Sequence, residues 1–133
     1  MKKIFVPTFL GLLFLLTPVF AMGATFTGSI QGFLCVTQGH TCPLGKEDAM
    51  IATENVFVLL VDDKKGEYYF LSNVDRANLA RHVNEQIKVN GELQKQHRSI
   101  KVTEMLDSKG KKFWYAGMEE DLRAEWLKQN PIW

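Results

Sequence analysis

Cysteine is scarce in this chain, two among 133 residues, and that scarcity removes several chemistries at once. There is no C-x-x-C pair of the kind used for thiol–disulfide exchange, no C-x-x-C-H haem attachment, and no zinc-ribbon or zinc-finger spacing. An excess of charge is missing too. Sixteen basic residues stand against fifteen acidic ones, so nothing pulls the chain generally toward nucleic acid or an anionic membrane. No phosphate-binding loop, dinucleotide fingerprint or G-x-S-x-G nucleophile elbow occurs. The three histidines assemble no nucleophilic triad with the scattered serines and aspartates. The adjacent acids Asp62 and Asp63 fall in a turn, and Glu119 and Glu120 at a helix start, where solvation and dipole matching are their ordinary roles. A glycosidase pair would need a cleft that one small domain rarely provides. These absences point away from an enzyme and leave a small hydrolase or a redox accessory enzyme as the least supported reading.

Long hydrophobic runs are missing as well, with one exception at the start. Lys2 and Lys3 precede an almost wholly apolar stretch over residues 4–20, and small residues follow at Ala21, Gly23 and Ala24. That is the order of an export signal, with cleavage expected near residues 21–23 and a leader over 1–23. A retained membrane anchor competes with this reading, because 17 apolar residues is about the minimum for a span. Pro18, just ahead of the small residues, favours removal. Lys2 and Lys3 leave with the leader, so fourteen basic residues then face fifteen acidic ones, a net charge of −1. The expected product is one domain of about 110 residues with one core, periplasmic or secreted, and off the membrane after cleavage.

Export changes what the two cysteines mean. Cys35 and Cys42 enclose Val-Thr-Gln-Gly-His-Thr, a segment that can turn back easily. Two close cysteines in an exported chain most often pair, and closing this short ring would constrain the unfolded chain by roughly 2.5 kcal/mol. The alternatives are a metal site and a reactive dithiol. Cys35, His40 and Cys42 form a C-x4-H-x-C set of soft and borderline ligands suited to copper or zinc. Met50, His82 or His97 would have to complete it, although His82 on a helix flank and His97 in a turn read as solvated. A metal-handling protein is thus the alternative function; no cofactor is otherwise implied.

From Phe26 onward the pattern alternates as β-strands do. Phe26, Gly28, Ile30 and then Phe33 and Leu34 suggest a first strand that bends at its glycines. Residues 56–61 form a continuous aliphatic run, as in a buried strand, and a turn at 62–66 returns the chain into a partner strand at 67–71. The period then becomes helical over about 75–83, where Leu79, Ala80 and Val83 recur. Alternation resumes over 86–94, 96–98 turns the chain, and Ile100 and Val102 open a fifth strand. The order is three strands, a short helix and two strands.

That order, with a glycine-kinked first strand, resembles the OB-fold, a five-stranded Greek-key barrel that is mainly β. More narrowly the chain resembles small exported bacterial OB-like proteins over residues 25–106. The matching pieces are Thr27-Gly28-Ser29-Ile30, the cysteine loop, the hairpin over 58–71, and Val89-Asn90-Gly91-Glu92-Leu93 with Ile100-Lys101-Val102. The barrel domain is therefore expected over 24–106.

Residues 107–133 extend it. A sixth strand is expected over 111–116 and a helix over 118–129, acidic in its first turn and stopped by Asn130 and Pro131. Met118, Leu122 and Trp126 recur at four-residue spacing with Leu127 alongside, an apolar stripe that faces either the barrel or a partner. Alternation sends Tyr68 and Phe70 to one face of their strand and Tyr69 to the other. Tyr69, Phe113, Trp114, Tyr115, Trp126 and Trp133 are accordingly the candidate binding surface, and sealing the extension onto the barrel is their competing role. The leading function is an exported, non-enzymatic binding or accessory module that presents the cysteine loop and the aromatic extension to another exported protein or a small ligand.

Overall fold

Strand β1, Ala24–Gly32, serves two neighbours in succession: Ala24 to Ser29 pair antiparallel with β4, Gln86–Gln94, and Ser29 to Gly32 with β2, Phe57–Asp62. This is a computed structural model, and it describes residues 23–130; the expected leader, Gly23 apart, and Trp133 lie outside the described residues. The double pairing requires β1 to coil, and Gly28 sits where it does so. A side chain at Gly28 would collide with the carbonyl of Leu60 on β2, and one at Gly91 with the carbonyl of Lys101 on β5, Ser99–Leu106. Both glycines are therefore sites of close backbone approach.

Strand β2 returns into β3, Glu67–Leu71, and β4 into β5. The closure is parallel: Phe70 stands opposite Ser99 and Leu71 opposite Ile100, joining β3 to β5. Around the ring the order is β1-β2-β3-β5-β4, a closed five-stranded OB-like barrel. Helix α3, Arg76–Ala80, lies between β3 and β4 in sequence, with the Asp75 carboxylate accepting from the Ala77 amide at 2.7 Å as its cap. Ile30, Leu59, Ile87, Val89, Ile100, Val102 and Met105 fill the interior, and Leu79 and Ala80 of α3 pack against them.

Two helices precede β2. Phe33 and Leu34, expected to prolong β1, instead begin α1, Phe33–Thr37, and α2 spans Glu47–Thr53 with no counterpart in the expected order. Tertiary partners redirect the chain here. The Phe33 amide still bonds the Val56 carbonyl at 2.9 Å, one step on in the β1–β2 register, but the Leu34 amide is taken by the Glu54 carboxylate at 2.8 Å as the helix begins.

Beyond the barrel, β6, Lys112–Tyr115, adds to β5, and α4, Met118–Gln129, has the expected bounds. Gly117 precedes α4 with φ +94°, a left-handed conformation that turns the chain out of β6. No residue of α4 is buried. No described helix is long and apolar enough to cross a membrane.

Candidate functional site

Segment 33–56 forms a cap against β1 and β2, and it gathers buried polar atoms. Cys35 and Cys42 are free thiols, 3% and 1% exposed, with their Sγ atoms 3.0 Å apart. The Gly32 amide donates to Cys42 Sγ at 3.1 Å, and the Cys42 amide donates to Gln31 Oε1 at 2.7 Å. Gln31 Nε2 in turn donates to Ser29 Oγ at 3.1 Å and to Asn84 Oδ1 at 3.2 Å, and Asn84 Nδ2 reaches Glu47 Oε1 at 3.1 Å. Glu54, buried beside Gly32 and Cys42, accepts from the amides of Leu34 at 2.8 Å and Val56 at 3.1 Å. Arg76 closes the cap from α3. Its guanidinium donates to the carbonyls of Glu54 and Ile51, the open end of α2, and lies 5.5 Å from the Phe57 ring centre. No buried side-chain polar atom among the described residues lacks a partner.

The electrostatics of this cluster favour neutral sulfur. Burial, then the hydrogen bond with Cys42, pushes the Cys35 thiol up to about 12, and the nearby Glu54 charge acts in the same direction. A thiol so protected offers little thiolate for attack or for metal ligation.

The three-residue ligand set is not assembled. His40 is exposed, its ring nitrogens placed against the Thr41 carbonyl at 3.1 Å and Gln38 Oε1 at 3.2 Å, while both cysteines point inward. Four residues of turn between helix α1 and Cys42 carry the imidazole outward. Met50 packs on the barrel interior and His97 is exposed in the β4–β5 turn, so neither completes the set. Among the described residues no group of three or more His, Cys, Asp and Glu side chains could hold a metal ion. His82, expected in solvent, is half-buried: its ring centre lies 3.9 Å from that of Phe113, and Nδ1 meets Glu85 Oε2 at 2.7 Å.

The expected aromatic surface divides. Trp114 is not part of it: this ring is 5% exposed within the barrel interior, because β6 pairs Trp114 with the inward-facing Met105. Tyr69 is half-buried and also turns toward the interior, 5.6 Å from Phe26, with its hydroxyl donating to Glu67 at 2.6 Å. Phe113 and Tyr115 are half-buried, and the Tyr115 hydroxyl donates to Asp121 at 2.9 Å. Phe113, Trp114 and Tyr115 seal or tether the extension, whereas Tyr69 packs within the barrel. Trp126 alone of the described candidates stands free, 56% exposed, with Leu122 at 53% and Leu127 at 40% beside it on α4.

The rings on the opposite face of β3 form a cluster that no candidate residue anticipated. Phe33, Tyr68 and Phe70 meet at 5.5–5.8 Å over Val36, Val58 and Leu60, and Arg98 lies 4.1 Å from the Tyr68 ring centre. Alternation had separated Tyr68 and Phe70 from Tyr69; what it lacked was α1, which brings Phe33 across. A shallow concavity of about 520 Å3 lies on the Tyr69 side of β3, lined by Glu67, Tyr69, Leu93, Lys95 and Arg98, and shares Arg98 with this cluster. Compared with protein-family models, with curated proteins and with solved structures, the chain matches none.

Proposed function

We propose that the chain is an exported, non-enzymatic binding module that captures a protein partner through its C-terminal helix. One observation carries the reading: α4 leaves Leu122, Trp126 and Leu127 in solvent together, on an element with no buried residue, while the barrel buries its own large apolar side chains. Tryptophan is a residue type enriched at interface hot spots, the flanking leucines extend the exposed apolar patch, and hydration of that stripe is relieved when a partner covers it. Acids dominate the rest of the helix, with Glu119, Glu120 and Asp121 in its first turn and Glu125 one turn on. The complementary surface is therefore an apolar groove with a basic rim, the helix-in-groove mode of recognition. The leader supports export, and β6, paired with β5, holds the arm at a defined root on the barrel.

The test is a truncation that removes residues 117–133 and keeps β6. The shortened protein should retain the β spectrum and unfolding midpoint of the parent and lose capture of the partner from the exported fraction. Trp126→Ala should weaken capture at least tenfold, the scale of a hot-spot residue. Capture that survives both changes would remove the arm from the function.

A further inference from the structure

We propose that Cys35 and Cys42 are a site of folding-coupled oxidation, closed into an intramolecular disulfide by an external disulfide oxidant before the cap seats on the barrel. Three observations carry this. The two sulfurs face one another in contact at 3.0 Å. The backbone brings them together by its own means: the amides of Gln38 and His40 bond the Cys35 carbonyl at 3.1 and 3.2 Å, and Gly39, at φ +80°, turns the chain back toward Cys42. Finally, both sulfurs are shielded in the seated cap, at 3% and 1% exposure, behind hydrogen bonds from Gly32 and to Gln31.

Exchange requires a thiolate to approach an oxidant disulfide through a mixed disulfide. One cysteine sulfur attacks the oxidant's S–S bond, which breaks and releases one oxidant thiol. The second cysteine sulfur then attacks the mixed disulfide, forms the Cys35–Cys42 bond and releases the other thiol. Two protons and two electrons pass to the oxidant, which ends as two thiols. An external disulfide has no access to either sulfur in the closed barrel, so the reaction belongs to the unfolded chain or to an opened cap. The bridge then stays protected from reductants by the same packing. Export, proposed above, enters only as the source of the oxidant.

Refolding the full chain by two routes tests the idea. In the first, reduced chain unfolded in guanidinium is diluted into a mixture of oxidised and reduced glutathione. In the second, the chain folds under a reductant, the reductant is removed, and the same glutathione mixture is added. Mass and maleimide labelling in denaturant count the thiols. The first route should give a product lighter by two hydrogens with no free thiol, a native circular dichroism spectrum, and an unfolding equilibrium constant about 70-fold smaller than that of the reduced protein. The second should proceed on the order of 100-fold more slowly, and mild denaturant should accelerate it by opening the cap. Equal rates by the two routes would overturn the coupling to folding. A first-route product that keeps two thiols, or a bridged product without the native spectrum, would overturn the pairing.

Discussion

The cap over 33–56 and the arm built on α4 are both helical additions to the same barrel, and neither α2 nor α4 buries a single residue fully. They differ in what else holds them. The cap is pinned by directed polar contacts: Glu54 satisfies two amides, Gln31 a third, and Arg76 covers the carbonyls at the end of α2. Met50 and Ile51 add apolar contact with the interior. The arm has Met118 against the interior and one hydrogen bond from Tyr115 to Asp121, and beyond that turn every described residue is exposed. A helix with little intrinsic burial becomes part of a domain when its ends are satisfied by neighbouring elements; without that it remains available to something else.

Glu54→Ala should break the contrast most. It strips the amides of Leu34 and Val56 of their acceptor and opens space beside Cys42, a loss of about 2.5 kcal/mol in chemical denaturation. The cap would then resemble the arm, readable as faster amide exchange confined to 33–56. Arg76→Ala should cost about 1.5 kcal/mol, since the carbonyls it bonds lie at the margin of the cap and can recruit water. The same substitution at Trp126 should leave stability within about 0.5 kcal/mol, as for an exposed site.

The smallest effect is in acid. Hydrogen bonds from the Lys111 amide, then that of Lys109, hold the Asp107 carboxyl below the usual carboxylate range at the root of the arm. At the cap, the backbone amides of Glu47 itself and Gly45, then Asn84, do the same for Glu47. A carboxyl lowered in the folded state stabilises above its unfolded pKa, about 4, and the contribution is lost as pH falls through the lower folded value. Asp107→Asn and Glu47→Gln should each flatten the decline of the unfolding midpoint between about pH 5 and 2. A variant whose acid limb matches that of the parent would show that its carboxyl has no such role.

The barrel was legible because its strands obey period two and its turns carry glycine and aspartate. Residues 86–94 and 67–71 emerge with the expected bounds, and the 118–129 helix does too, since those segments announce themselves locally. The cap was not legible. Phe33 and Leu34 continue the apolar pattern of β1, and only Glu54, twenty residues beyond Leu34, takes the Leu34 amide where the helix begins. Gln31 and Glu54 gave no sign of burial, because a polar residue is buried only when distant partners satisfy it. His40 reads as a ligand by spacing and points to solvent by geometry.

By itself, then, the sequence determined the order of the barrel strands with α3 among them, the glycine bend of β1, the approach of Cys35 to Cys42 within one short loop, and the bounds and apolar stripe of α4. These rest on contacts between near neighbours in the chain or on a repeating pattern. Tertiary structure alone decided that β3 closes on β5, that Trp114 is interior while Trp126 is free, and that both thiols lie sealed beside Glu54. Each of those outcomes depends on which distant atoms arrive to exclude water, and no local pattern records that.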